Sequence, residues 1–542
     1  MARSACVVWL LLGLVAMDIF AIPSQAQLSP SQTDALSKLQ SSANSAACSA
    51  TDASSCAQAA AKLMPSILGN SPMIENLRKL TDEIGGRVSG TPEMAKAVQW
   101  GIAGFRAAGV DVHTEKYTLP TSWLERKTEL LIDQPFLRLT TENKNGVQYL
   151  MATERSLRVV SEAWSPASSK SPIYGSVVDV GYGSEREFSD AGSSLSGAFL
   201  LVHTDIGQSW ADLFNEYMRP PGIIARAVNA NAAAILWTGA RERLLLYRHT
   251  NSLDGKIDKI PQVIVAREDA MMLSRTIAAY PKQIHAYLSV PNEIGGPVEQ
   301  ENVVGEIRGY EKPDEVVILG AHLDSWELGT GALDNGCNAA LVIEAARAIK
   351  AVGVLPKRTI RFILFSGEEQ GTIGSHEYVK AHATELDKIR AVIVFDSGSG
   401  RTTGFSLGGR TDTDAPLRQI LKPLEAWSVN EHTPDASFGT DNFDFLLEGV
   451  PTFVANQEVS NYLANYHAAS DTFDKVDQRE LKLNTVIAAL TAWGIADRGE
   501  PIGKRLTRGE LNALVKQTGL DQQMQLLGYW EQWQSGARGR KP

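Results

Sequence analysis

Between residues 302 and 498 the chain alternates short apolar runs with helical stretches, and this alternation restricts the fold more than any other feature. The apolar runs cover 302–307, 316–320, 359–365, 391–395 and 452–455, and the helical stretches lie near 336–350, 373–382, 413–427 and 480–497. Strands that alternate with helices form an α/β fold with parallel neighbours in the sheet. We therefore predict a mixed, largely parallel sheet sandwiched by helices.

Side chains that bind metals follow these apolar runs in order along the chain. His322, Asp334, Glu369, Asp396 and His467 each lie at or just beyond the end of a predicted strand. Ligands of open α/β sheets gather at the carboxyl ends of the strands, so these side chains are expected to meet. Two histidines and three carboxylates, one of which can bridge, suit two neighbouring zinc ions. The pattern indicates a hydrolase.

Asp324 and Asp334 have structural alternatives to a role at a metal site. Asp324 lies two residues after His322 on the same side of an extended chain, where it can accept the second ring N–H of that histidine. The alternative is a core histidine with an unrelated acidic neighbour. Asp334 opens a predicted helix and would be an ordinary N-cap if it did not bridge two cations.

Glu368 and Tyr466 are the candidates for proton transfer and for charge stabilisation. Glu368 is adjacent to the predicted ligand Glu369 and can take a proton from a water that zinc has acidified. A solvated acidic pair at a helix start is the alternative. Tyr466 precedes His467 and can donate its hydroxyl to an oxyanion, unless it is simply a packed tyrosine.

The N-terminus has the features of an export signal over residues 1–26. Arg3 precedes an apolar run at 5–17, and small residues at 24 and 26 suit a cleavage site. A retained anchor helix is the alternative, but the run is too short to span a bilayer. We expect a secreted or periplasmic protein with no membrane span after signal removal.

Composition and cysteines add weaker constraints. A formal net charge of -10 gives no basic surface for phosphates, so nucleic acid is not expected as a partner. Residues 27–65 are rich in Ser, Ala and Gln and predict a flexible or loosely helical leader. Cys48 and Cys56 could form a disulfide in an oxidising compartment or remain two thiols. Cys337 could be a metal ligand, although packing at a helix start is favoured.

The chain is too long, at 542 residues, for one ordinary core. The catalytic domain is predicted to comprise 66–125 and 296–500. The stretch 126–295 has short β-type runs and none of the five candidate ligands, so a non-catalytic insert is expected. A helical tail covers 501–542.

Four short motifs together resemble a known family. They are HLDSW at 322–326, EEQG at 368–371, GTD at 439–441 and GVP at 449–451. The chain resembles the co-catalytic zinc exopeptidases, which include aminopeptidases and plasma glutamate carboxypeptidases, and the latter branch more closely. The likeness spans roughly residues 70 to 500, and the insert is similar to a protease-associated domain.

The resemblance implies a division of roles at the metal site. One zinc ion would be held by His322 and Asp396, the second by Glu369 and His467, and Asp334 would bridge both. Glu368 would be the general base and later the acid that protonates the leaving amine.

The implied reaction is hydrolysis of a peptide bond near a free terminus. Asp441 is a candidate for contacting a free amine, although it could equally cap the next helix. An aminopeptidase acting on longer peptides would differ only in the shape of the pocket. A glutaminyl cyclase of similar fold would need one zinc ion, and a non-catalytic receptor on this fold would be expected to lose ligands or the base. The sequence leaves a homodimer open.

Overall fold

The computed structural model describes residues 52–133, 142–144, 147–149, 154–168, 171–353, 355–436 and 438–542. The predicted signal at 1–26 and Cys48 lie outside these residues. The export signal and the disulfide between Cys48 and Cys56 therefore remain predictions.

The strands are numbered in chain order. They are β1 Asp111–Leu119, β2 Trp123–Leu124, β3 Glu129–Asp133, β4 Glu142–Lys144, β5 Val147–Tyr149, β6 Glu154–Leu157, β7 Val159–Ser161, β8 Ile173–Asp179, β9 Phe199–Val202, β10 Ala234–Thr238, β11 Gln262–Val265, β12 His285–Ser289, β13 Glu293–Ile294, β14 Val298–Ile307, β15 Lys312–His322, β16 Arg358–Phe365, β17 Ile389–Val394, β18 Thr402–Ser406 and β19 Thr452–Gln457.

The α-helices are numbered in the same way. They are α1 Asp52–Leu68, α2 Met73–Arg78, α3 Pro92–Ala107, α4 Glu185–Ala191, α5 Trp210–Met218, α6 Pro220–Asn229, α7 Arg267–Ala279, α8 Cys337–Ala351, α9 Ile373–Ala381, α10 Asp414–Leu421, α11 Phe443–Leu447, α12 Tyr462–Asn465, α13 Gln478–Asp497, α14 Arg508–Gln517, α15 Leu520–Leu526 and α16 Trp530–Ser535. Short 3₁₀ turns cover Gly192–Leu195, Lys422–Trp427 and Phe473–Lys475, and a π-helical turn covers Lys79–Ile84. The turn Ala332–Gly336 is irregular, because Asp334 and Asn335 have non-helical backbone angles.

The first sheet of the described chain has seven strands in the order β1-β14-β16-β15-β17-β19-β18. Its central strands β16, β15, β17 and β19 are parallel, whereas β1, β14 and β18 pair antiparallel at the two edges. The mixed sheet is confirmed, but the parallel order is confined to the centre. Each of the four central strands coincides with an apolar run of the sequence, because strands buried on both faces have continuous apolar sequences.

Helices cover both faces of this sheet, as predicted. On one face α1, α2, α3, α8 and α13 enclose the largest apolar core, which includes Val317, Leu319 and Phe362 of the sheet. On the other face Tyr378 and Val379 of α9 pack against Ile318, Ile363 and Val392. The central strands are therefore held rigidly, and so are the loops that follow them.

A second, eight-stranded sheet has the order β6-β3-β12-β8-β9-β10-β11-β7. Its strands β8, β9, β10 and β11 are parallel, and apolar clusters fill both of its faces. All of its strands lie within 126–295, the range of the predicted insert. The similarity of this part to protease-associated domains remains a prediction.

Local sequence explains several helix ends. The Thr91 side chain accepts a hydrogen bond from the Met94 amide at the start of α3, where Pro92 occupies the first turn. Gly109 follows α3 with φ +75°, the left-handed conformation that glycine favours at the end of a helix. Asp477 caps α13 by accepting from the amides of Arg479 and Glu480.

Both predicted terminal segments contain helices. The predicted leader at 27–65 includes the start of α1, and Cys56, Leu63 and Ile67 of this helix are buried in the main core. Its alanines favour a helix that packs closely, so the described part of this range is not a flexible segment. The tail at 501–542 forms α14, α15 and α16. Among the described residues, no helix is long and apolar enough to cross a membrane.

If α1 is part of the core, Leu63→Ala should lower the free energy of unfolding by about 2–5 kcal/mol, the usual effect of truncating a buried leucine. The exposed neighbour Lys62→Ala is the control and should change it by less than about 0.5 kcal/mol. Both values can be measured by denaturant unfolding. Equal stability of Leu63→Ala and wild type would show that this segment does not belong to the core.

Candidate metal centre

The five predicted ligands converge at the carboxyl end of the first sheet. His322 is the last residue of β15, while Glu369 and Asp396 lie in the loops that follow β16 and β17. Asp334 lies in the turn Ala332–Gly336 before α8, and His467 follows α12. All five side chains are largely buried.

The first group of three contains His322, Asp334 and Asp396. The His322 Nε2 atom lies 3.1 Å from Asp334 Oδ1 and 3.0 Å from Asp396 Oδ1. On the other side of the ring, Nδ1 lies 3.0 Å from the Asp324 backbone oxygen. Donation from Nδ1 to this carbonyl leaves Nε2 directed at the two carboxylates, as a metal-binding histidine requires.

The second group contains His467, Glu369 and again Asp334. The His467 Nε2 atom lies 3.0 Å from Glu369 Oε2 and 3.3 Å from Asp334 Oδ2. Each group offers ligand atoms that all lie within 4.8 Å of one another. Asp334 therefore directs one carboxylate oxygen to each group.

The carboxylates of the cluster stabilise positive charge, as the pKa values of its side chains indicate. Burial opposes protonation of both histidines, but the carboxylates outweigh it, so the pKa of His322 lies well above its usual range and that of His467 is about 9. Burial also raises the pKa of Glu369 to about 7, with Asp334 adding to the effect and His467 opposing it. For Asp396, burial raises the pKa despite the opposing charge of His322.

The donor atoms fit a pair of divalent cations. Glu369 Oε1 and His467 Nδ1 are buried and have no hydrogen-bond partner among the described residues. Buried carboxylates this close repel one another unless cations compensate them. Nitrogen and oxygen ligands in two groups that share one carboxylate suit zinc in a co-catalytic pair.

Asp324 holds the loop of Glu368 and Glu369 more directly than it holds His322. Its Oδ1 atom is 3.7 Å from His322 Nδ1, beyond hydrogen-bond distance. Its carboxylate instead accepts from the amides of Glu368 at 3.3 Å and Glu369 at 3.4 Å, and from the Ser89 hydroxyl at 3.3 Å. It thus connects the two loops that follow β15 and β16.

Glu368 and Asp441 both lie near the cluster. Glu368 is partly exposed at the start of its loop, whereas Asp441 is fully buried and neither of its carboxylate oxygens has a hydrogen-bond partner by distance and angle among the described residues. Burial raises the pKa of Asp441 to about 8 against the opposing charge of His322. The N-cap of the next helix, α11, is Asn442, so the helix-capping alternative for Asp441 is not supported.

Asp471 is a functional residue that the sequence analysis did not single out. Its carboxylate accepts from three consecutive amides of the turn that carries Asp334, at 3.1 Å from Ala332, 2.7 Å from Leu333 and 3.1 Å from Asp334 itself. It lies four residues after His467. Because its role depends on backbone amides, no spacing rule could have identified it.

Two parts of the predicted insert also contact the centre: helix α5 and the loop between β10 and β11. The hydroxyl of Tyr217 in α5 lies 2.7 Å from that of Tyr466, and the ring of Tyr466 stacks on His467 at 3.7 Å between centroids. The Arg248 amide donates to the His467 carbonyl at 2.9 Å. His467 itself has φ +57°, a backbone conformation that a histidine adopts only where its surroundings fix it.

The remaining cysteine prediction is confirmed. Cys337 is the first residue of α8, is fully buried, and its Sγ lies 3.4 Å from the Leu333 carbonyl. It belongs to neither ligand group of the described chain. Cys337 therefore packs the helix start beside Asp334.

Comparison with known proteins gives consistent likenesses. Residues 302–492 match Peptidase family M28. Carboxypeptidase Q of Rattus norvegicus is 26% identical over 427 residues, which cover 79% of this chain and 85% of the relative. A peptidase M28 precursor from Shewanella amazonensis SB2B has a TM-score of 0.72 at 26% identity, covering 84% of this chain and 99% of that chain. The zinc aminopeptidase of Bacillus subtilis shares the fold, with a TM-score of 0.59 at 19% identity over 80% of this chain and 96% of that one.

Asp471→Ala should loosen the turn that carries Asp334 and lower the affinity for divalent metal by about 10–100-fold, as expected when a residue that orients a ligand is lost. The measurement is competition with a chelator of known affinity. Asp474→Ala is the control, because Asp474 is an exposed residue of the same segment. Wild-type affinity in Asp471→Ala would contradict the role given to Asp471.

Proposed function

We propose that this chain, a metallopeptidase of peptidase family M28, is a zinc-dependent exopeptidase that hydrolyses dipeptides or short peptides with a free terminus. The likeness to carboxypeptidase Q over most of both chains supports this substrate class. We further propose that the protein is exported and that the insert at 126–295 is a protease-associated-like domain.

The observation that carries the proposal is the placement of Asp334 between two ligand groups. One of its carboxylate oxygens faces His322 and the other faces His467, at 3.1 and 3.3 Å. A carboxylate in this position supports a two-metal centre rather than the single zinc ion of a glutaminyl cyclase. The intact ligand set also argues against a non-catalytic receptor.

The proposed ligands divide as the geometry groups them. His322 and Asp396 would hold one zinc ion, Glu369 and His467 the other, and Asp334 would bridge the two. Bound zinc would polarise the scissile carbonyl and lower the pKa of water.

Glu368 is the proposed general base. Its carboxyl group is adjacent to the cluster, and its backbone amide is held by Asp324 at 3.3 Å. Burial raises the pKa of Glu368 well above its usual range; His322 opposes this, while Asp396 and Asp441 add to it. A carboxylate with a raised pKa is a better proton acceptor, so it can take a proton from the attacking water and pass it to the leaving amine.

Tyr466 is the proposed donor to the oxyanion of the tetrahedral intermediate. The Tyr217 hydroxyl can accept or donate at 2.7 Å and so holds the Tyr466 hydroxyl in place. Asp441 remains a proposed contact for a free substrate amine, which would provide a partner for its buried carboxylate oxygens.

Removal of metal should abolish peptidase activity, and addition of zinc should restore it. The purified protein should contain two zinc ions per chain by elemental analysis, since two ligand groups share Asp334. Activity that survives complete chelation, with the metal content measured at zero, would exclude the proposed mechanism.

Glu368→Gln should lower kcat by about 10²–10⁴-fold, the usual contribution of a general base, while zinc content stays unchanged. Glu425→Gln, at an exposed position, should retain wild-type activity. Full activity of Glu368→Gln would exclude Glu368 as the base. A parallel loss of zinc would instead assign Glu368 to metal binding.

The substrate class is tested with three sets of peptides: unblocked dipeptides, the same dipeptides with a blocked N-terminus, and longer unblocked peptides. The proposal expects the highest kcat/KM for unblocked dipeptides. Efficient stepwise removal of N-terminal residues from long peptides would instead identify an aminopeptidase.

A further inference from the structure

We propose that a cleft formed by the second sheet and its helices binds the cationic side chain of a substrate residue, a lysine or an arginine. This inference rests on the proposed function and extends it to substrate specificity. None of the residues that carry the inference is a proposed metal ligand.

The cleft has a cavity volume of about 50 Å³ and opens to solvent. Its walls come from the ends of β10 and β11 and from α5 and the segments around it. The lining residues that matter for binding are Glu162, Asp205, Glu216, Tyr247 and His249.

Two acceptor atoms in this cleft are buried and unsatisfied. Glu162 is 1% exposed and the Glu216 side chain is 9% exposed. Glu162 Oε2 and Glu216 Oε1 have no hydrogen-bond partner by distance and angle among the described residues. Buried polar atoms normally have partners, so a ligand that donates hydrogen bonds suits this position.

The charges of the lining favour a cationic donor over a neutral one. Its acidic side chains are Glu162, Asp205, Asp212 and Glu216, and among the described residues that line it Arg219 is the only arginine or lysine and pairs with Asp205 at 2.8 Å. Burial raises the pKa of the Glu162 carboxyl well above its usual range, so Glu216 is the buried carboxylate that carries charge. Burial opposes ionisation of Glu216, but Arg241 outweighs it and lowers the pKa of this carboxyl. An ammonium or guanidinium group would therefore meet a negative charge in a partly dry environment, where ionic hydrogen bonds are strong.

The cleft lies close to the proposed metal centre, with the His249 side chain between them. His249 lines it, and the His249 ring lies 6.4 Å from that of His467 between centroids. Tyr217 contacts His249 at 4.4 Å between centroids and reaches Tyr466 with its hydroxyl. A lysine side chain spans roughly 6 Å from Cα to Nζ. The proposal requires a substrate held at the metal centre to direct a long side chain past the His249 ring into the cleft.

The first experiment compares lysine with norleucine, which has the same carbon chain and no ammonium group. Two series of unblocked dipeptides place this residue on the acyl side or on the amine side of the scissile bond. We expect wild-type kcat/KM to favour lysine over norleucine by roughly tenfold or more in one series, the effect of a hydrogen bond to a charged group. Equal rates for lysine and norleucine in both series would overturn the proposal.

The second experiment repeats the comparison in Glu216→Gln and Glu162→Gln, with Asp190→Asn as the control. Asp190 lies on α4 and is exposed. We expect the lysine preference to fall toward unity in at least one glutamine variant and to be unchanged in the control. Retention of the full preference in both glutamine variants, with wild-type melting temperatures, would overturn the assignment of the cleft.

The same measurements distinguish this proposal from the proposed function. Hydrolysis of the norleucine dipeptides without any lysine preference would overturn the cleft proposal alone. Hydrolysis of neither series by protein that retains two zinc ions would overturn the dipeptidase function and, with it, the cleft proposal.

Discussion

The structure of the site depends on one carboxylate, Asp334, which belongs to both groups of candidate metal ligands. Two unit charges about 4 Å apart interact by about 4 kcal/mol at the effective dielectric of a protein. Three buried carboxylates in one cluster are therefore unfavourable unless positive charge balances them. Because each oxygen of Asp334 faces one histidine, the cluster has two places for that charge rather than one.

The backbone around the cluster is arranged to hold Asp334 there. Asp471 accepts three successive amides of its turn, and the buried guanidinium of Arg87 donates to the carbonyls of Thr330 at 2.7 Å and Gly331 at 3.0 Å just before it. Burial lowers the pKa of Arg87 to about 10, although Asp471 opposes the shift. Asp471 and Arg87 thus support the turn from two sides, which leaves the Asp334 carboxylate little freedom.

The centre of the fold and the five candidate ligands could be predicted from sequence because local signals define them. A strand buried on both faces is a continuous apolar run, and the residue after it lies at the edge where ligands gather. The edge strand β18 and the core helix α1 carry no such signal. Asp471 acts on backbone amides, and Tyr217 meets Tyr466 across 249 residues of sequence. These contacts arise only when separate parts of the chain pack together.

This packing lets the loop between β10 and β11 contribute to the proposed metal centre, although the loop contains none of the five candidate ligands. The amide of Arg248 holds the carbonyl of His467, and the guanidinium of Arg241 lies 5.6 Å from the centre of the Tyr466 ring. The last ligand and the proposed oxyanion donor are thus positioned partly by residues of the predicted insert. The proposed metal centre therefore depends on contacts between the two parts of the chain, and these contacts are made at Tyr466 and His467.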